Sequence, residues 1–299
     1  MLNEALYAGG DIIIFTPNEK IDSVYLSYML NSNLFLVQSR RLGQGHSVVH
    51  IYSKDLENIV VPVPELEEQK KIANILSTWD HSIELKQIEL KKRITYKENI
   101  TKKLIIEQAK NTKEIDKIKL KKYLKSKNER VENRNIEPVA VGVFGIRRRS
   151  EIFSKELSED LSNNKVIKQN DLTFGIGTNK IVYDVLFEDL TYCVSPAYSV
   201  YEIINCNPYY LKSYLDTYNS YFSRKYMIIS ARQGKSIEIN GLMNEKIAVP
   251  SMNIQNQITQ YLKTIDVYNT KLKFLIEEMK AQKKGLMQQL LTGKIRVQL

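Results

Sequence analysis

Cysteine is nearly missing from this chain. The two present, Cys193 and Cys206, are too few for a disulfide framework and lack the paired spacing of a zinc site, so they read as ordinary reduced thiols. Histidine is as scarce. Of His46, His50 and His81, the first two flank Ser-Val-Val, a strand-like run that brings no Glu or Cys with it, so no metal site is expected. Twelve glycines and seven prolines exclude a fibrous repeat. No apolar stretch approaches the roughly 18 to 20 residues of a membrane span, and Met1-Leu2-Asn3-Glu4 is no basic leader, so a cytoplasmic location is the expectation. Acid is short too: 34 Asp and Glu stand against 44 Lys and Arg, a formal charge of +10. The positive field favours a polyanion, with nucleic acid first. The 299 residues, 43% of them hydrophobic, suffice for about two globular domains.

What is present is a repeat. Val63-Pro64, Gln69, Ile72, Leu76 and Asp80 recur as Val249-Pro250, Gln255, Ile258, Leu262 and Asp266, each 186 residues later and without a gap. A seam at alternating three- and four-residue steps follows: Ile72, Leu76, Trp79, Ile83, Leu90, Ile100 and Leu104 in the first copy. In the second it runs Ile258, Leu262, Ile265, Leu272, Ile276, Met279, Leu286 and Leu290, with Asn269 and Lys283 as polar interruptions. Such seams let one long helix pack along another. The first is broken by Lys86, Arg93 and Lys97, and pairing with the second would complete it.

Upstream, Tyr25-Leu26 and Leu30 answer Tyr210-Leu211 and Leu215, Gln44-Gly45-x-Ser47 answers Gln233-Gly234-x-Ser236, and Leu56 answers Leu242 before the strand-like Ile59-Val61 and Ile247-Val249. Each copy reads as helix, glycine turn, strand, proline, long helix. Residues from about 113 to 205 have no counterpart at the front, which makes the first copy look truncated at its N-terminus. Their Val-, Ile-, Tyr- and Phe-rich runs at 139–144, 165–167, 181–187 and 199–204, broken by Asn163-Asn164 and Gln169-Asn170-Asp171, predict strands.

Catalytic readings fare poorly. Asn207-Pro208-Tyr209-Tyr210 approaches the Asn-Pro-Pro-Tyr tetrapeptide of adenine methyltransferases, but the second proline is missing and no alternating parallel β-α pattern surrounds it. Asn207 as a helix cap, with Pro208 at the first helical position, explains it at lower cost. The sequence shows no Pro-Asp…Asp/Glu-x-Lys cluster of a nuclease and no Gly-x-x-x-x-Gly-Lys-Ser/Thr phosphate loop.

Several motifs resemble the specificity subunits of type I restriction-modification systems over nearly the whole length. Val63 to Leu76, continued by Trp79-Asp80-His81-Ser82-Ile83-Glu84, is similar to the start of that family's first conserved helix. Gln282-Lys283-Lys284-Gly285-Leu286-Met287-Gln288-Gln289-Leu290-Leu291-Thr292-Gly293-Lys294 is similar to the distal one. The resemblance implies an α+β fold, with mixed α/β target recognition domains connected by long helices packed as an antiparallel coiled coil. The expected division is 1–63, the C-terminal part of a first recognition domain; 64–112, the first spacer helix; 113–250, the second recognition domain; and 251–299, the distal helix. It implies a non-catalytic subunit that binds a bipartite double-stranded DNA target and docks methyltransferase and restriction/translocase subunits. S-adenosylmethionine, ATP and Mg would then sit in those partners and no cofactor in this chain. Helices of about forty residues rise about 60 Å, the length of about 17 base pairs, as a ruler between half-sites requires. A DNA-silent remnant, or a half-subunit that pairs with a second copy of itself, is the rival reading.

Sequence readout needs Arg or Lys for guanine and Asn or Gln for adenine, while other cations hold phosphates. Arg147-Arg148-Arg149 after Phe144-Gly145 would be delivered by a glycine turn onto one loop, or would simply be solvated. Phe174-Gly175-Ile176-Gly177-Thr178-Asn179-Lys180 is a second candidate, with Asn179 and Lys180 for readout and glycines for close approach, or a plain hairpin. A third is Arg224-Lys225 with Arg232, Gln233 and Lys235, for which Arg40, Arg41 and Gln44 are the repeat equivalents. The tyrosines that follow Pro208 at helical steps are expected in the core rather than as base-stacking platforms.

Overall fold

The computed structural model describes residues 9, 12–42, 51–113, 116–132, 135–153, 160–175, 177, 180–230 and 234–298. The elements in chain order are α1 (Ser23–Leu30), α2 (Asn33–Leu42), α3 (Ser53–Leu56), α4 (Leu66–Asn111), β1 (Ile118–Lys119), β2 (Leu124–Lys127), β3 (Val139–Gly142), β4 (Gly145–Arg148) and α5 (Arg149–Ile152). They continue with β5 (Lys165–Ile167), β6 (Asp171–Gly175), β7 (Val182–Val185), β8 (Tyr192–Val194), β9 (Ser199–Ile203) and α6 (Pro208–Tyr226). The last are β10 (Met227–Ser230), β11 (Gly234–Ile237), α7 (Ile239–Asn244), β12 (Lys246–Ile247) and α8 (Met252–Leu291). An α+β fold dominated by two long helices, 46 and 40 residues, is what the seams predict. Contacts divide the chain inside those helices: one compact unit holds residues 1–93 and 268–299, the other Ile94–Val267.

In the first unit the start of α4 packs on the end of α8. Ile72 and Leu76 of the seam join Leu290, with Leu286 partly buried beside them, and Tyr25 and Met29 of α1 close this cluster. Ile83 meets Leu272 and Ile276 one stretch further on. Trp79 is half-buried. The apparent breaks in the seam turn out to be pairing points. Arg93 donates to the buried Asn269 (3.3 Å) and stacks on the Tyr268 ring at 3.7 Å. Lys283 donates to Asp80 at 2.5 Å, and Asp80 also accepts from the Tyr28 hydroxyl at 2.7 Å. Burial pushes the Asp80 carboxyl up, and these two hydrogen bonds outweigh it, leaving its pKa lowered.

The second unit is built on a four-stranded antiparallel sheet in the order β2-β9-β6-β7. Its strands alternate as a sheet with two covered faces must. Leu172, Phe174, Tyr183 and Val185 face α6 and the seam residues Ile258, Leu262 and Ile265, while Val182 and Val200 face the β3–β4 and β5–β8 hairpins. Asn207 caps α6 by accepting from the Tyr209 and Tyr210 amides, as the tetrapeptide suggests. Tyr210, Tyr214 and Tyr226 are buried in this core. Lys97 donates to Asp266 at 2.5 Å, and Asp266 accepts from the Tyr209 hydroxyl as well. This is the Asp80 arrangement again, 186 residues on.

A second duplicated cluster sits at the start of each long helix. Gln69, 0% exposed, accepts from the amide of Asp22 (2.9 Å) and donates to the Pro64 carbonyl (2.8 Å). Gln255, 2% exposed, accepts from the amide of Asn207 (2.8 Å) and donates to the Pro250 carbonyl (2.8 Å). Asp22 and Asn207 are themselves the caps of α1 and α6. In both copies one buried amide therefore welds the capped end of a preceding helix to the proline that opens the long one.

Two expectations fail. Ile59–Val61 is not a strand, because no neighbouring strand is available to it among the described residues, whereas Lys246–Ile247 finds one in β1. The single first-copy helix is two, since Asn31 ends α1 and α2 restarts at Asn33. The glycine turn at 44–47, with Gln44, His46 and His50, lies outside the described residues.

Replacing Gln255 by Leu keeps its bulk and strands the Asn207 amide and the Pro250 carbonyl, which should cost about 2 to 4 kcal/mol in denaturant unfolding. A loss under about 0.5 kcal/mol would show that the weld contributes little.

Glu68 supplies a pH test. Arg296 donates to it at 2.6 to 3.1 Å, and with the Val297 amide this holds the carboxyl below its ordinary 4.5. A depressed folded pKa gives stability that is present above the unfolded value and is lost as pH falls through the folded one. Unfolding midpoints measured from pH 6 down to about 3 should drop, and Arg296→Ala should flatten that drop; an identical acid limb in the variant would refute the assignment.

Candidate nucleic-acid interface

Three hairpins of the second unit meet around Lys180. The β3–β4 hairpin turns on Val143 and Phe144, with Gly145 at φ +81°, a conformation that side-chain-bearing residues avoid. Its return strand is anchored by Asp184 of β7, whose Oδ2 accepts from the Ile146 amide at 2.9 Å. The β6–β7 hairpin is the second. Ile181, next to Lys180, is held on both backbone groups by α6: its amide donates to Ser223 Oγ (2.9 Å), and its carbonyl accepts from Asn219 Nδ2 (3.1 Å). Lys180 itself is exposed. The β10–β11 hairpin is the third and approaches through its open end, Met227, Ser236 and Ile237.

Two depressions join them. One, of about 530 Å³, is lined by the β3–β4 tip, Lys180 to Asp184, and Lys212, Asp216 and Asn219 of α6. The other, of about 200 Å³, is lined by Gly175, Gly177, Lys180, Ala197, Ser199, Met227, Ser236 and Ile237. Lys180 borders both. Lys212 is committed to the protein, 2.8 Å from Asp216 and 3.6 Å from Asp184; burial works against its charge, but the two carboxylates prevail and raise its pKa. Tyr183 donates to Asp216 at 3.0 Å, and burial first, then that carboxylate, drives its hydroxyl well above the usual range.

The arginine run is placed differently from the expectation of a loop. Arg147 and Arg148 lie on β4 and Arg149 opens α5, because the turn is completed at Val143–Phe144 and the chain pairs from Gly145 onward. Arg148 turns to Glu137 (3.4 Å), and Arg149 lies over the Phe153 ring at 4.8 Å. Arg147 is exposed beside the tip. The loop glycines admit protein backbone: a Cβ on Gly175 would stand 2.7 Å from the Val141 carbonyl oxygen, and one on Gly177 would stand 2.2 Å from that of Lys180.

Asn179, Arg232 and Gln233 lie outside the described residues, and only the backbone of Lys235 is described, paired with Ile229. Arg224 and Lys225 end α6; Arg224 is exposed, while Lys225 donates to Glu245 (2.8 Å) and its pKa is raised by that bond. Arg40 and Arg41 end α2 in the other unit, both exposed. One basic feature escaped the sequence reading: Lys119, Lys121, Lys122 and Lys125 are exposed between α4 and the end of β2, and Lys119 pairs across strands with Lys246. Its spacing in the chain was the available signal. Among the described residues no group of His, Cys, Asp and Glu could hold a metal, and no helix is long and apolar enough to cross a membrane.

The chain therefore combines an α+β fold, a duplicated helix scaffold and two depressions bordered by Lys180. The family model of the type I restriction modification DNA specificity domain matches residues 1–96. The type I restriction enzyme MjaVIII specificity subunit of Methanocaldococcus jannaschii is 28% identical over 317 residues, covering 94% of this chain and 72% of that one. Among solved structures, the HsdS subunit from Thermoanaerobacter tengcongensis aligns at a TM-score of 0.50 with 16% identity, over 93% of this chain and 72% of that one. A chain from a structure describing complex assembly and conformational transition of the type I R-M system aligns at 0.53 with 14% identity, over 93% and 73%. The family match thus covers the first third of the chain, and the likeness to type I restriction-modification specificity subunits extends over most of its length.

The hairpin anchor is testable by hydrogen exchange. Asp184→Ala should speed exchange of the Ile146 amide and cost about 1 to 3 kcal/mol by stranding it; unchanged protection at Ile146 would show that the hairpin holds itself.

Proposed function

We propose that this chain is the non-catalytic sequence reader of a type I restriction-modification complex, with the hairpins around Lys180 as its described reading surface. The observation that carries the proposal is their convergence: hairpins far apart in sequence border common depressions, and their exposed cations, Lys180 and Arg147, pair with no carboxylate among the described residues, those beneath being spent on Lys212 and on backbone amides. The field of a +10 chain favours the same ligand, double-stranded DNA.

The long helices carry the partners, methyltransferase subunits and through them restriction and translocase subunits, and S-adenosylmethionine, ATP and Mg belong to those partners. Exposed apolar residues on the helices, Leu85, Ile88, Phe274 and Leu275 among them, are the surface such docking would bury.

Two measurements test the proposal. The full chain mixed with its modification subunits should form a stable complex that selects one sequence from randomised duplexes; no association, or no enriched sequence, overturns it. Within that complex Arg147→Ala and Lys180→Ala should each weaken binding, and a variant that loses a phosphate contact should shrink the slope of log affinity against log salt by about 1. Unchanged affinity in both variants would remove this surface from the interface.

A further inference from the structure

The turn of the β3–β4 hairpin has an unusual composition. Two-residue hairpin turns favour Asn, Asp and Gly, which tolerate the backbone and remain wet. Here the tip is Val143 and Phe144, 90% and 45% exposed. Neither residue belongs to the core of the hairpin, which is formed by Val139, Val141 and the partly buried Ile146.

The tip is also held still. Gly145 is in the left-handed region, the Asp184 carboxylate fixes the next amide, and the Phe144 ring lies against Gly142, where a Cβ would come within 2.5 Å of it. A rigid apolar point therefore stands near two exposed cations, Arg147 further along its own hairpin and Lys180 across the depression that the tip helps to line.

From this juxtaposition we propose that Val143 and Phe144 are specificity-determining residues that enter the major groove of duplex DNA and contact the C5 methyl group of thymine, with Arg147 and Lys180 on the flanking phosphates. The proposal rests on the DNA-reading function above and goes further by assigning the readout chemistry. The major groove admits a two-stranded β-ribbon, and the thymine methyl is the one apolar feature that it displays, whereas an acidic protein surface would offer no counterpart to the apolar tip. The phosphates on either side match the two cations.

The test uses the full chain in complex with its modification subunits and the duplex that the wild type enriches from a randomised pool. Replacing the contacted thymine by deoxyuridine removes only the methyl group and should weaken wild-type binding about 5- to 10-fold, within the range of a single base contact. Val143→Ser and Phe144→Ser should bind the thymine duplex that much more weakly and be indifferent to deoxyuridine. Phe144→Leu, which keeps apolar bulk, should retain sensitivity. Val143 is exposed, so its variant should unfold at the wild-type midpoint.

A wild type that enriches no sequence would remove the parent function itself. A wild type that selects a sequence in which no thymine-to-deoxyuridine change matters, or Ser variants that keep the full sensitivity, would overturn this proposal alone. Variants that lose the modification subunits while the sequence preference survives would overturn it too, and would reassign the tip to a protein contact.

Discussion

One interaction recurs where everything else is attached: a buried glutamine amide that accepts from a helix-capping residue and donates to the carbonyl of the proline five residues before it. Gln69 and Gln255 have no room for alternatives, because both are almost fully buried and each amide satisfies groups that would otherwise be stranded without water. The requirement for full pairing fixes where each long helix begins and how the preceding helix enters it. From those two starting points follow the seam, the Asp80 and Asp266 clusters, and the position of α6, whose Asn219 and Ser223 hold Ile181 beside Lys180.

Chemistry at the proposed reading surface is arranged by the same economy. Three carboxylates of the second unit are consumed internally: Asp184 by the Ile146 amide and Lys212, Asp216 by Lys212 and Tyr183, and the buried Asp171 by Lys127 at 2.5 Å. Cations at the rim are left to face solvent. A protein with only a moderate excess of base thereby keeps exposed cations at this rim, and such cations attract a polyanion at short range.

Much of this was legible in the chain because it depends on local rules. The 186-residue recurrence, the helical seams, the Asn207 cap and the buried tyrosines each rest on spacing or on one side chain bonding its own backbone. What stayed hidden depends on partners distant in sequence. The seam-breaking Arg93 and Lys97 looked like defects until Asn269 and Asp266 were placed opposite them. The arginine run looked like a loop because nothing local says that Ala140 pairs with Arg147. Ile59–Val61 had a strand composition and lacked a neighbour, and a strand is a property of pairs. That Lys180 borders two depressions could not be read from any window of sequence.

The polar points in the seam have a consequence for motion along the helices. A greasy, uniform interface between two helices can slip by a turn at little cost, since one leucine replaces another. In the first unit, sliding α8 one turn in one direction would bring Met287 opposite Asp80 and Lys273 opposite Arg93; in the other it would bring Met279 opposite Asp80. Either slip exchanges a matched ion pair for a charge facing a thioether, and one adds a clash of like charges. The helix pair behaves as a keyed shaft, giving up some adhesive area for a single allowed stop.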